Sequence, residues 1–169
     1  MPNQSEHDRY SFYYSRVDWN MHVTATRHGL REIVFLEDPL ATFAADFYQY
    51  PDPVQRMFSN LQAELERYFN GETVQFTAAL DWRDLSVFQK QVYSALQKVA
   101  YGSVVTYGDL ARQIGSPGAA RAVGTALHNN PLPLVVPCHR VVSSSGIGGF
   151  AAGLTLKRAL LQLEGISGL

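Results

Sequence analysis

The sequence predicts an α+β protein: a small N-terminal antiparallel sheet with a covering helix, followed by a mainly helical C-terminal domain that contains a helix-turn-helix. Three observations carry this reading. The first 36 residues hold three short apolar and aromatic runs separated by turn residues. From Pro53 onward apolar residues recur at helical spacing instead. The charge balance also reverses along the chain: residues 1–84 hold 7 Lys/Arg against 13 Asp/Glu, a net of -6, whereas residues 85–169 hold 7 against 2, a net of +5, inside a total of only -1. Two domains, 1–80 and 85–169, are therefore expected, with the boundary between Thr77 and Asp84.

The elements follow in order. Tyr10–Ser15, His22–Thr26 and Arg31–Leu36 read as strands, parted by Asp18-Trp19-Asn20 and by His28-Gly29, and such tight turns imply antiparallel pairing. Val54, Met57, Phe58, Leu61, Leu65 and Phe69 then form a helical stripe between Pro53 and Asn70, closed by Asn70-Gly71, and this helix should cover the sheet. Ser86-Val87-Phe88-Gln89 has the form of a capping box and opens a helix with Phe88, Val92, Leu96 and Val99 on one face, ended by Gly102. Thr106-Tyr107-Gly108-Asp109 starts a short helix to about Gln113. Gly115-Ser116-Pro117 makes a turn, and a second helix is expected from about Pro117 to Leu127. Leu160–Glu164 reads as the end of a last helix.

With 169 residues and 46% hydrophobic composition the chain can bury a real core. It contains one cysteine, which forbids an internal disulfide and any multi-cysteine zinc site. The histidines at 7, 22, 28, 128 and 139 show no metal-ligand spacing, so neither metal nor cofactor is expected in the chemistry. No run of 18 uncharged apolar residues occurs, and the N-terminus from Met1 to Tyr10 has neither a basic nor an apolar leader region, so a soluble, cytoplasmic protein without membrane association is expected. A basic half beside an acidic half fits a nucleic-acid face, and equally an ordinary solvated surface.

The chemistry concentrates at Pro137-Cys138-His139-Arg140-Val141-Val142. A thiol attacks carbon as thiolate, and its free pKa near 8.5 leaves little thiolate at neutrality without a base or a positive charge beside it. His139 and Arg140 can supply one each. Neighbouring residues of an extended chain point to opposite faces, so a direct Cys138–His139 contact needs a turn or a bridging water. Pro133 and Pro137 favour irregular backbone here. Gly118, Ala119, Ala120, Ala122, Gly124 and Ala126 give the second helix of the helix-turn-helix a surface able to approach a sugar-phosphate backbone closely. Arg121, its only long side chain early on, places a cation where the helix dipole disfavours one, which suggests a use outside the helix.

These residues resemble the O6-alkylguanine-DNA alkyltransferases, from about Phe88 to Gly165. The resemblance lies in five ordered blocks: Tyr101-Gly102-Ser103-Val104-Val105-Thr106-Tyr107, Ala119-Ala120-Arg121-Ala122-Val123-Gly124, Asn129-Asn130-Pro131, the cysteine segment, and Leu160-Leu161-Gln162-Leu163-Glu164-Gly165. The first 80 residues carry it only loosely.

The resemblance implies a single-turnover repair protein that binds double-stranded DNA containing O6-alkylguanine as a monomer, from the minor groove, and moves the alkyl group irreversibly to Cys138. O6 of guanine lies within the base stack, so the base must be flipped out before a thiolate can approach in line. In this reading Cys138 is the nucleophile, His139 the base, Glu164 the carboxylate that orients it, and Tyr107 a phosphate-turning residue that faces N3 of the flipped guanine. Arg121 fills the gap left in the duplex, and Ala119, Ala120 and Gly124 lie against the DNA. Asn130 and Val141 belong beside the pocket, and the loop through Phe150 and Ala151 closes it. That loop is slightly shorter than in many members and carries Ala152 where glycine is usual, which narrows the room for bulky alkyl groups. Two other classes remain: a binding-only homologue, which would lack the nucleophilic cysteine, and a thiol hydrolase built on Cys138, His139 and Glu164, which would turn over repeatedly.

Overall fold

The computed structural model describes residues 9–37 and 47–169, so the leader reading and His7 fall partly or wholly outside the described residues. The chain divides into two compact units, Met1–Arg83 and Asp84–Leu169.

In the first unit, β1 (Tyr10–Arg16), β2 (Trp19–Thr26) and β3 (Gly29–Leu36) form an antiparallel sheet in the order β1-β2-β3. Each hairpin turns in two residues, so β2 begins at Trp19 rather than His22 and β3 at Gly29 rather than Arg31. Trp19 and Asn20 were expected in the turn but pair with Arg16 and Ser15. The physical reason is packing: Trp19 stacks on Phe69 with ring centroids 4.6 Å apart, which holds it in the strand. The turn falls on Val17, a β-branched residue at φ 41° that is 85% exposed. Gly29 stands at φ 140°, and a side chain there would lie 2.4 Å from the Ala79 carbonyl oxygen. That close approach lets Leu30 donate to Ala79 at 2.8 Å and brings the segment after the helix alongside the sheet.

The helix α1 (Asp52–Phe69) buries Val54, Phe58, Leu61, Leu65, Tyr68 and Phe69 on one face. Phe58 meets Phe12 of β1 at 4.7 Å between ring centroids and is fully buried, a burial that stabilises by about 1.5–3 kcal/mol. Asn70 and Gly71 end it, with Gly71 at φ 80°, its N–H bonded to Tyr68 and that of Glu72 to Arg67, a Schellman stop.

In the second unit, α2 (Val87–Leu96) starts at the Ser86 capping box and buries Val92, Tyr93 and Leu96. It ends at Leu96, a turn or more before Gly102, because tight turns take over at Lys98 and Val99. Gly102, at φ 72°, is not a helix stop; its N–H instead donates to Glu164 at 3.2 Å. Next come β4 (Val105–Thr106), α3 (Tyr107–Gln113) and α4 (Ala120–His128). Pro117 and Gly118 form a turn, so α4 begins at Ala120 and not at Pro117, and Arg121 is its second residue. Tyr93 ties α2 to α4 through its hydroxyl, which donates to the Ala126 carbonyl at 2.7 Å.

A single 3-10 turn, Cys138–Arg140, leads into β5 (Val141–Val142), and α5 (Leu154–Leu163) completes the unit. β4 and β5 pair in parallel, Val105 with Val141 and Thr106 with Val142. Two residues of each strand thus join the start of the helix-turn-helix to the cysteine segment, and Tyr107 comes to lie over it. No described helix is long and apolar enough to cross a membrane.

Candidate active site

The cysteine segment is built from buried chain. Leu132, Leu134, Val135, Val136, Cys138, His139, Arg140 and Val141 are all buried, and Leu134 sits at φ 73°, a strained conformation for a non-glycine residue, four positions before the thiol. Pro137 precedes the 3-10 turn, which Arg140 closes by donating its N–H to the Pro137 carbonyl at 2.9 Å. The turn replaces the opposed directions of an extended chain. His139 and Arg140 both reach Glu164, while Cys138 points elsewhere.

Asn130 organises the sulfur side. Its Nδ2 donates to the Val136 carbonyl at 2.8 Å and to Cys138 Sγ at 3.1 Å, and its Oδ1 accepts from the Leu132 N–H at 3.0 Å. Burial pushes the Cys138 thiol up to about 11, against the lowering effect of the Asn130 amide and of Lys157.

Glu164 caps the C-terminus of α5, where the helix dipole disfavours a carboxylate, and it is compensated by donors. His139 Nε2 lies 2.7 Å from Oε1, and Arg140 donates from Nη2 to Oε1 and from Nε to Oε2, each at 2.9 Å. Burial pushes the His139 imidazole below its ordinary value, against the raising effect of Glu164. Arg140, read from sequence as a positive charge for the thiol, is committed to Glu164. The cation that acts on the sulfur is Lys157. Fully buried on α5, it donates from Nζ to the carbonyls of Val141 at 2.5 Å and Gly149 at 2.9 Å, and burial lowers its pKa to about 8.

A cavity of about 280 Å³ opens beside the sulfur, lined by Tyr107, Gly124, Leu127, His128, Cys138, Gly149, Phe150 and Ala151. That volume is near the lower end for a small-ligand pocket, roughly 300 Å³. The Tyr107 hydroxyl accepts from the Gly149 N–H at 3.2 Å, which fixes the ring at the wall of the cavity. Gly148 permits this: at φ 71°, a side chain there would lie 3.1 Å from the Tyr107 ring and 3.0 Å from the Ser143 nitrogen. A shallower depression adjoins the cavity through Tyr107, Gly124 and His128 and is lined also by Ala120, Arg121 and Thr125. Arg121 is exposed there and makes no ion pair among the described residues.

The structure thus brings Cys138, Tyr107, Gly124, Phe150 and Ala151 to one cavity, with His139 and Glu164 paired behind it and Arg121 and Ala120 outside its mouth. Ala119 precedes α4 as its N-cap residue. Asn130 and Val141 do not line the cavity; one holds the sulfur and the other receives Lys157. Arg140 and Lys157, counted in sequence toward a basic face, are buried. Sequence reasoning missed Lys157, Leu127 and His128. A signal for the first existed: Lys157, Leu160, Leu161 and Glu164 fall at i, i+3, i+4 and i+7, so the lysine sits on the apolar stripe of its helix. Among the described residues no group of three or more His, Cys, Asp or Glu is placed to hold a metal ion.

Residues 87–166 match the family described as 6-O-methylguanine DNA methyltransferase, DNA binding domain, and residues 9–82 match the ribonuclease-like domain of the same proteins. A methylated-DNA--protein-cysteine methyltransferase of Mycobacterium bovis is 48% identical over 115 residues, 68% of each chain. The crystal structure of Mycobacterium tuberculosis OGT in complex with DNA superposes with a TM-score of 0.75 at 36% identity, covering 92% of both chains. The O6-methylguanine-DNA methyltransferase of Pyrococcus kodakaraensis superposes at 0.64 with 27% identity, covering 94% of this chain and 99% of that one.

Proposed function

The chain belongs to the 6-O-methylguanine DNA methyltransferase family, and from that premise we propose a division of labour among its site residues. The protein repairs DNA by transferring an alkyl group to a cysteine, and Cys138 is its only one. The substrate is O6-alkylguanine in a duplex approached from the minor groove by a monomer. Arg121 fills the space left by the flipped nucleotide, while Ala119, Ala120 and Gly124 allow α4 to approach the backbone. Tyr107 guides the nucleotide into the cavity, whose wall at Phe150 and Ala151 encloses it.

The thiol proton passes to His139, through a bridging water, as the sulfur attacks the alkyl carbon in line. The carbon–oxygen bond breaks with its electrons on the guanine, to which the Tyr107 phenol donates a proton; the thiol proton taken by His139 makes good that loss through solvent, and a thioether remains on Cys138. Glu164 orients the imidazole throughout. A thioether carbon has no ready leaving step, so each molecule reacts once and needs no metal or cofactor.

The observation that supports this reading is that Cys138 lines a cavity of about 280 Å³, with the Asn130 amide on its sulfur and the next residue, His139, paired with Glu164. Incubation with a duplex containing O6-methylguanine should add one methyl mass to the peptide holding Cys138, with repair stopping at one equivalent. Continued turnover would indicate a hydrolase, and binding without a mass change a sensor; either would overturn the assignment.

A further inference from the structure

Glu164 is held by more than its histidine. Oε1 receives His139 Nε2 and Arg140 Nη2, and Oε2 receives Arg140 Nε and the Gly102 N–H, so each oxygen meets two donors and the lone-pair directions of the carboxylate are filled. Arg140 is in turn fixed. Its Nη1 donates to the Val99 carbonyl at 2.7 Å, and its guanidinium lies 5.9 Å from the centre of the Tyr101 ring, whose hydroxyl donates to the Leu163 carbonyl at 3.0 Å.

We propose that Arg140 is a positioning residue for alkyl transfer: by occupying Glu164 it keeps His139 neutral in the tautomer protonated on Nε2, which leaves Nδ1 as the basic nitrogen of the ring. This rests on the reading of Cys138 as acceptor and His139 as its base.

The argument is one of charge and geometry. A buried carboxylate facing an imidazole alone draws a proton onto the ring and forms an ion pair. Here the carboxylate is already neutralised by a bidentate guanidinium, so a second cation beside it would leave the buried group with net positive charge. Among the described residues the charged and titratable groups around the ring include Glu164 and Lys157 from α5, Arg140 and Cys138 from the same turn, and Tyr101 against Arg140. Of these only Glu164 favours the imidazolium, while Arg140, Lys157 and burial all oppose it. The carboxylate accepts at the Nε2 side, which fixes where the remaining ring proton sits. The 3-10 turn makes the arrangement possible, since it sends two consecutive residues to one carboxylate.

The test combines Arg140→Gln and Arg140→Lys with two readouts on the full-length protein. Ring-nitrogen NMR of His139 in the unreacted protein should show the Nε2–H tautomer at pH 7. Arg140→Gln should raise the imidazole titration and the acid limb of the single-turnover rate profile together, by about one to two pH units. Its rate should recover to within roughly threefold of the parent at alkaline pH, where the ring is neutral again, and Arg140→Lys, which keeps a cation beside Glu164, should show little of the shift. A uniform rate loss with no movement of either titration would reduce Arg140 to a structural staple and overturn the proposal. An imidazolium or Nδ1–H ring in the parent at pH 7 would overturn it even if the glutamine variant failed to fold. Because the NMR readout needs no alkyl transfer, it stands apart from any failure of Cys138 to accept methyl.

Discussion

Replacing Lys157 by methionine removes one ammonium and little volume, and its effect on stability can be worked out with its sign. In the folded protein burial lowers the Lys157 pKa from 10.5 to about 8. Between those values the unfolded chain binds a proton that the folded chain does not, so stability rises with pH, by at most ~1.4 kcal/mol per unit and about 3 kcal/mol in all. Cys138 acts in the opposite direction: burial raises its thiol from 9.0 to about 11, so the unfolded chain ionises first and stability falls across that interval. The parent should therefore gain stability from pH 8 to 9, hold nearly level to about 10.5 and decline above it. Lys157→Met keeps only the decline. At pH 7 the variant loses the cost of a buried charge but orphans the Val141 and Gly149 carbonyls at about 1–3 kcal/mol each, so the two proteins start within a few kcal/mol of each other. Urea unfolding followed by far-ultraviolet circular dichroism at pH 7, 8, 9 and 10, under reductant, should show the difference growing toward the parent by about 3 kcal/mol. Parallel curves would refute the reasoning. The same substitution removes the ammonium that lowers the thiol, and methyl transfer at pH 7 should slow about tenfold or more.

Three further outcomes follow from the geometry. Val17→Gly should stabilise the first unit by about 1 kcal/mol, since a β-branched residue at φ 41° is strained and its side chain buries almost nothing; an unchanged thermal midpoint would count against that strain. Asp81 has no exposed side-chain surface and accepts from Thr26 Oγ1 and from Arg83 Nε and Nη2, all at 2.8 Å, and Arg83 chiefly holds its carboxyl far below the usual range. Its stabilisation is complete above about pH 4 and lost as pH falls, so Asp81→Asn should cost about 1–3 kcal/mol at pH 7 with the gap to the parent closing in acid, a trend read by denaturation from pH 7 to 2. Asn130→Ala removes three hydrogen bonds and should cost about 2–4 kcal/mol while slowing transfer by roughly ten- to a hundredfold, because the sulfur loses its donor; a rate equal to the parent's would show that the amide does not assist the thiolate.

The sequence made the periodic elements legible because each is specified locally. The stripe from Val54 to Phe69, the Ser86 and Thr106 capping boxes and the three strands all rest on spacings within one element. What failed was settled between elements. Trp19 joins β2 because Phe69 offers it a stacking face, and Gly102 serves a carboxylate 62 residues away rather than a helix end. The parallel pair β4–β5 is too short to leave a pattern, yet it sets the position of Tyr107. Motif chemistry and resemblance singled out Cys138, His139 and Glu164, and the structure pairs His139 with Glu164 beside the cysteine turn. Lys157 was counted with the surface charges, because a total of basic residues does not register which ones stand on an apolar stripe.

The raised thiol pKa explains why these parts belong together. With burial raising Cys138 to about 11, the thiol and not the thiolate is the resting form at pH 7. The resting sulfur is thus inert toward incidental electrophiles, and its proton must leave as the alkyl carbon arrives. A nucleobase filling the cavity excludes more water and raises the thiol further, so the acceptor for that proton has to be inside the protein and uncharged. On the proposed reading His139 is that acceptor, and Arg140, by pairing with Glu164, offsets the pull of the carboxylate toward an imidazolium. The Asn130 amide, which donates to the sulfur, and the nearby Lys157 charge both favour negative charge on sulfur. Once the thioether has formed, that charge is gone, and a thioether sulfur is too poor a leaving group for the alkyl carbon to be displaced again. The same burial that protects the thiol before reaction makes the transfer final.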